Sequence, residues 1–174
     1  MHLVFAPFAC PFLAVRTSSP VVAPPKCRPY MPAMATALYN RDILRLAVSI
    51  PHHGRLEGAQ ASVEKRSPIC GSRVAVDVVL DGEGRIARLG QDVKACALGQ
   101  ASASLMGASA IGRSRSELAE ARDALAAFLD GRRGDPGDWP GLSVFSEARP
   151  YKARHPSILL PFEAVAAAAD EAGR

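Results

Sequence analysis

RVAVDVVL, residues 73–80, is the stretch of sequence that decides the fold. Its apolar side chains alternate onto one face, which is the pattern of a half-buried strand, and those four are Val74, Val76, Val78 and Leu80. The residues that follow, DGEG at 81–84, tolerate the backbone of a tight turn. The chain is therefore predicted to reverse into a second strand over residues 86–93, which gives an antiparallel hairpin.

Helical patterns surround this hairpin. A helical spacing of apolar residues begins at Leu38 and stops before Pro51, and residues 97–110 are almost all small, which suits a helix pressed closely against a sheet. Ser114 and Glu117 have the spacing of a capping box, which predicts a helix that ends at Gly131. A last helix is predicted from about Pro161 to Ala169. Residues 63–68 are too short to assign. Strands before helices indicate an α+β fold, with a small antiparallel sheet of about three strands packed against helices.

The opening segment, residues 1–34, differs from the rest. It holds seven of the 14 prolines and no acidic residue. Proline at that density blocks both helix and central strand, and Pro7 and Pro11 interrupt the only candidate for a secretory signal. We expect this segment to be disordered and to contain no functional residues. We also expect that the true translation start is Met31 or Met34, so that the segment is an upstream extension of the reading frame. The folded domain is expected over residues 35–174.

Composition argues against two classes of partner. No apolar run reaches the roughly 18 residues of a membrane-spanning helix. The net charge of +4 owes most of its excess to Arg16, Lys26 and Arg28, which precede the first acidic residue, Asp42. The remaining chain is close to neutral and has no basic stripe, so neither a membrane nor a nucleic acid is expected as a partner.

Two cysteines of the body carry the strongest chemical signal. Cys70 lies in SPICGS, residues 67–72, just before the first strand of the hairpin, and Cys96 follows the second strand at the start of a helix. In an antiparallel pair, the start of one strand and the end of the other lie at the same end of the sheet. Free N–H groups at a helix N-terminus also favour a thiolate. The spacing predicts two thiols that meet and function together, rather than an extracellular disulfide framework.

Histidine is the candidate for a third ligand. His155, in ARHPS at 153–157, precedes the last predicted helix and could bring an imidazole to the thiols. Two thiolates and an imidazole form a soft site, suited to zinc or to iron–sulfur chemistry. The other pair, His52 and His53, is not taken as a site, because adjacent loop residues rarely point at one ion.

Residues 38–165 resemble the NifU-like scaffold proteins, of the IscU and SufU type, on which iron–sulfur clusters are assembled. The resemblance rests on an opening helix before a proline and glycine loop, on PICG at 68–71, on Cys96 leading into ASASLM at 101–106, and on PYK at 150–152 ahead of His155. This chain has Ser72 where the family usually has the aspartate of Cys-Gly-Asp. The family's third cysteine is absent, and its position falls on His155, Pro156 or Ser157, of which only His155 is a good ligand.

The resemblance implies a SufE/NifU-like fold and a scaffold that is not an enzyme in the turnover sense. Cys70, Cys96 and His155 would then bind iron and hold a transient iron–sulfur cluster of the [2Fe–2S] type in the cytoplasm. A cysteine desulfurase would supply sulfur, and cluster-acceptor apoproteins would take the product. Two alternatives stay open: a zinc-binding sulfur acceptor, or sulfurtransferase, that works with the desulfurase, and a degenerate interaction module that binds no metal.

Overall fold

A three-stranded antiparallel sheet organises the molecule, seen in a computed structural model that describes residues 38–174. Strands β1 (Ala61–Arg66), β2 (Arg73–Leu80) and β3 (Ile86–Lys94) are ordered β1-β2-β3. The predicted hairpin is β2 and β3, which pair from Arg73↔Lys94 onward. The sequence pattern leaves β1 unassigned because the strand is short and only two of its residues, Ala61 and Val63, are apolar. The α+β prediction with about three strands is confirmed.

Within residues 38–174, four helices and two short 3₁₀ segments surround the sheet. The 3₁₀ segments are Leu142–Ala148 and Lys152–Arg154, and the helices are α1 (Arg41–Ala47), α2 (Ala97–Ser109), α3 (Arg115–Leu129) and α4 (His155–Ala172). The predicted capping box is present at α3, where the Glu117 amide donates to Ser114 Oγ and the Ser114 amide donates to the Glu117 carboxylate at 2.9 Å. The first three helices lie where their patterns indicated.

The start of α4 corrects the sequence analysis. The helix was predicted from about Pro161, but it begins at His155 and runs through Pro161. Pro156 is accepted because the first turn of a helix needs no N–H partner. An interior proline ordinarily breaks a helix, but α4 is almost wholly buried, and tertiary packing rather than propensity holds it.

The core lies between the sheet and α4. This helix packs on β1 and β2 and also contacts α2 and α3. Phe162 is fully buried and meets the ring of Trp139 edge-on, with ring centroids 5.3 Å apart. Gly99 of α2 faces Ser157 of α4 so closely that a Cβ at this position would lie 2.7 Å from Ser157 Oγ. The small residues of α2 therefore allow the beginning of α4 to approach the beginning of α2.

A loop after α1 covers the other face of the sheet. Asp77 on β2 is almost fully buried there, and its carboxylate accepts hydrogen bonds from Arg55, at 2.6 and 2.8 Å, and from the Leu56 amide at 2.9 Å. Burial raises the pKa of Asp77, but the bonds from Arg55 and Leu56 outweigh it and hold the pKa below its ordinary value. Gly90 leaves room for the loop, since a Cβ there would lie 2.8 Å from Leu56 Cβ.

Two further expectations concern the opening segment and membrane-spanning helices. The predicted disordered extension, residues 1–34, lies outside the described residues. Within residues 38–174, no helix is both long enough and apolar enough to cross a membrane.

Candidate functional site

Cys70 lies in the tight turn that joins β1 to β2. The turn is closed by the Ser67 amide, which donates to the Ser72 carbonyl at 2.8 Å, and by the Gly71 amide, which donates to the Ser67 carbonyl at 3.3 Å. Gly71 has φ of +68°, a conformation that glycine adopts without strain. The turn leaves Cys70 exposed at one end of the sheet, as a free thiol.

Cys96 is the N-cap of α2, directly after β3. Its backbone is extended, with φ −66° and ψ 167°, and its carbonyl accepts the Gln100 amide at 2.9 Å. The sulfur makes no capping hydrogen bond to the helix. Because Arg73 pairs with Lys94, the beginning of β2 and the end of β3 are neighbours, and Cys96 lies at the same end of the sheet as Cys70.

A chain of hydroxyl groups joins the two sulfurs. Ser157, in the first turn of α4 and fully buried, has its Oγ 3.2 Å from Cys96 Sγ and 3.2 Å from Ser72 Oγ. Ser72 Oγ in turn lies 3.1 Å from Cys70 Sγ. Cys70 and Cys96 therefore lie at one place, as predicted, with the hydroxyls of Ser72 and Ser157 between their sulfurs. Their role as ligands stays a prediction.

The thiol of Cys70 is poised to ionise near neutral pH. Partial burial of the sulfur raises its pKa, but hydrogen bonds with Ser67, Ser72 and Ser157 lower it by more than that, to about 7. A hydroxyl donating to sulfur favours the thiolate, which is both the nucleophile and the metal ligand. Cys70 is thus an exposed thiol with thiolate character.

His155 is not brought to the thiols. It is the first residue of α4, its imidazole is buried, and Nε2 lies 3.2 Å from the Ala148 carbonyl and 3.1 Å from the Arg149 carbonyl. Carbonyl oxygens only accept, so Nε2 carries a proton and donates. Nδ1 faces Asp130 at 3.9 Å. The imidazole ties α4 to the end of the 3₁₀ segment Leu142–Ala148, which corrects the predicted grouping of Cys70, Cys96 and His155. Among residues 38–174, no three His, Cys, Asp or Glu side chains are grouped to hold a metal ion.

Replacing His155 by alanine is expected to lower the free energy of unfolding by about 1–3 kcal/mol, because buried carbonyls lose their donor. Chemical denaturation measures the change, and the matched control is His53→Ala, at an exposed histidine. If His155→Ala left the free energy of unfolding unchanged but removed metal binding, the placement of His155 as a structural residue would be contradicted.

Both thiols open into one pocket of about 540 Å³. Ser72, Lys94, Gln100 and Arg154 line it with Cys70 and Cys96, and no carboxylate of the described residues does. The pocket therefore offers sulfur and oxygen donors, and the cationic side chains that border it are Lys94 and Arg154.

One solved structure decides the family. The chain is 37% identical to a nitrogen-fixing NifU-like protein (N-terminal) from Brucella abortus, with a TM-score of 0.76, over 81% of this chain and 98% of that one. The chain belongs to the NifU-like family. The resemblance stated from the sequence is thereby confirmed.

Two further structures share the NifU-like fold. One is a putative iron–sulfur cluster assembly scaffold protein for the SUF system from Fervidobacterium islandicum, at 24% identity and TM-score 0.70, over 76% of this chain and 96% of that one. The other, a hypothetical protein, has 24% identity and TM-score 0.67, over 76% and 97%. No family profile and no curated protein matches the chain.

The donor set of this NifU-like chain fits an iron–sulfur cluster in part. A [2Fe–2S] cluster is ordinarily held by four thiolates, and the pocket supplies two. The hydroxyls of Ser72 and Ser157 were missed as members of the site. Both had a signal in the sequence, since Ser72 stands where the family usually has the aspartate of Cys-Gly-Asp, and Ser157 is one of three positions for the absent third cysteine.

Proposed function

We propose that this protein is an iron–sulfur cluster assembly scaffold that binds iron and sulfide through Cys70 and Cys96 and passes the cluster to acceptor apoproteins. The observation that carries the proposal is the connection of two thiols through the buried hydroxyls of Ser72 and Ser157, beside an open pocket of a NifU-like fold. The fold likeness to a putative scaffold of the SUF system supports it. The proposed place of action is the cytoplasm, where thiols stay reduced, and the protein acts as a carrier rather than as an enzyme.

Sulfur is proposed to arrive from a cysteine desulfurase as a persulfide. The Cys70 thiolate attacks the outer sulfur of the desulfurase persulfide, a new sulfur–sulfur bond forms on Cys70, and the desulfurase thiolate leaves. Electrons balance in this transfer, because one persulfide replaces another. Release of the outer sulfur of Cys70 as the sulfide of a cluster then takes two electrons, which we propose come from an external dithiol or one-electron donor protein, and regenerates the Cys70 thiolate. The exposure of Cys70 and its pKa of about 7 suit it to this attack.

Anaerobic reconstitution with ferrous iron and sulfide tests the proposal through visible absorption. The purified protein is expected to become coloured, and Cys96→Ala is expected to weaken cluster binding by at least about tenfold, since even altered partners of metal ligands cost that much. The control is Cys27→Ala, a cysteine outside the described residues, which should retain the colour.

Three outcomes would contradict the scaffold proposal. If the native protein stays colourless after reconstitution and has the same absorption spectrum as Cys96→Ala, then no cluster binds at these thiols and the scaffold proposal is wrong. One equivalent of zinc and no iron, in protein taken directly from cells, would select the zinc-binding sulfur acceptor instead, because the same thiolates suit zinc. A melting temperature unaffected by chelator, in protein as isolated, would select the interaction module without metal.

A further inference from the structure

Cys70 and Cys96 differ in how openly they face a large donor of sulfur. Cys70 is exposed in its turn, beside Ile69, which is 64% exposed. Cys96 is only partly exposed and packs against the hydrophobic core, between the end of β3 and the start of α2. A protein that carries a persulfide therefore has more direct access to Cys70 than to Cys96.

The two sulfurs are nevertheless close to each other, because they share hydroxyl partners. Ser157 Oγ lies 3.2 Å from Cys96 Sγ and also interacts with the Cys70 thiol. Ser72 Oγ, 3.2 Å from Ser157 Oγ, lies 3.1 Å from Cys70 Sγ. Both cysteines border the same pocket of about 540 Å³, which has room for an added sulfur atom.

A persulfide on Cys70 narrows the remaining gap. A sulfur–sulfur bond is about 2 Å long, so the outer sulfur can lie that much nearer to Cys96 than Cys70 Sγ does. Reacting atoms held about 3–3.5 Å apart are placed for attack. The outer sulfur of a Cys70 persulfide is therefore within reach of the Cys96 thiolate, without a rearrangement of the sheet that carries both residues.

We propose that Cys96 takes the outer sulfur from a Cys70 persulfide, which frees Cys70 to accept a second sulfur from the donor. The inference rests on the proposed function and its persulfide step. The Cys96 thiolate attacks the outer sulfur, the sulfur–sulfur bond to Cys70 breaks, and Cys70 leaves as a thiolate, while the outer sulfur keeps its proton. One persulfide replaces another, so the step needs no oxidant or reductant. The two cysteines together then hold both sulfurs of a [2Fe–2S] cluster.

The transfer is tested with the full chain and one equivalent of glutathione persulfide, quenched over time with iodoacetamide and followed by mass spectrometry of each cysteine peptide. In the native protein, the added sulfur is expected first on Cys70 and then on Cys96. Cys70→Ser is expected to load Cys96 at least about tenfold more slowly, because an oriented neighbour in one molecule exceeds a dilute donor in effective concentration. Cys96→Ser should keep the sulfur on Cys70.

Two controls show whether the position of Cys96 decides the transfer. The double variant Cys96→Ser/Ser143→Cys moves the second thiol to an exposed position outside the pocket, where it should gain sulfur at least about tenfold more slowly than Cys96 does. Cys96→Ser that is loaded on Cys70 and then mixed with Cys70→Ser measures transfer between chains. At about 10 µM of each protein, this transfer should also be at least about tenfold slower, since effective concentrations within one molecule are millimolar or higher.

Three outcomes would overturn the inference alone. In the first, sulfur appears on Cys70 and never on Cys96. In the second, Cys96 is loaded as fast in Cys70→Ser as in the native protein. In the third, a disulfide between Cys70 and Cys96 forms with release of sulfide, which would show attack on the inner sulfur. No persulfide on Cys70 would overturn the proposed sulfur-accepting step and this inference with it, whereas reconstitution with inorganic sulfide tests cluster binding separately.

Discussion

Replacing Ser157 by cysteine is expected to slow the loss of a reconstituted cluster to a chelator by at least about tenfold, the scale on which ligand surroundings alter metal affinity. Ser157 Oγ already lies 3.2 Å from Cys96 Sγ and joins the hydroxyl chain to Cys70. Cysteine differs from serine by one atom, so the change places a third thiolate between the existing two. Soft sulfur ligands suit iron–sulfur clusters better than a hydroxyl does.

The matched control for this gain is Ser143→Cys, which adds a thiol at an exposed position outside the pocket. The decay of visible absorption under chelator is followed for both variants and for the native protein. If Ser157→Cys lost its cluster as fast as Ser143→Cys, then a thiolate at position 157 would not reach the cluster. The proposal that the cluster binds beside Ser157 would be contradicted.

Alkylation of Cys70 by iodoacetamide is expected to reach half of its maximal rate near pH 7, because the pKa of this thiol is about 7. An ordinary cysteine, with pKa near 8.5, holds only a few per cent thiolate at pH 7, so Cys70 should react there about tenfold faster than an unperturbed exposed thiol. The rate rises with pH, since deprotonation creates the nucleophile. Mass spectrometry of the Cys70 peptide separates its rate from that of Cys96.

The hydroxyl partners of Cys70 provide the variant for this measurement. Ser72→Ala removes one donor to the sulfur and is expected to move the midpoint of the profile to higher pH, because the thiolate loses a stabilising hydrogen bond. Ser116→Ala, at an exposed serine of α3, should leave the midpoint in place. A midpoint above pH 8 in the native protein would contradict the hydrogen-bonded site.

The meeting of the two cysteines could be predicted from the sequence because it follows from strand pairing alone. The alternation of Val74, Val76 and Val78 identifies β2, and antiparallel geometry then places the residues before it and after β3 at one end. β1 could not be assigned because its burial alternates but its sequence does not show it: the less exposed positions hold Ala61, Val63 and Lys65, of which only the first two are apolar.

The third member of the site could not be predicted, because it depended on where α4 begins. With the helix expected from Pro161, His155 belonged to a loop and was free to turn towards the thiols. In the structure, the helix already includes His155 and Ser157, and residues two apart on a helix differ by about 200° in direction. Ser157 therefore contacts Cys96 and Ser72, whereas His155 turns away from them and contacts the end of the 3₁₀ segment Leu142–Ala148.

The close approach of Gly99 to Ser157 has a consequence for biosynthesis. The hydroxyl that bridges the thiols comes from the last helix of the chain, whereas the sulfurs come from segments made about sixty and ninety residues earlier. A nascent chain that emerges from the ribosome therefore contains Cys70 and Cys96 before the helix that supplies Ser157 has been synthesised. The hydroxyl chain between the two sulfurs therefore cannot form until the segment that carries Ser157 has been synthesised and has packed against Gly99.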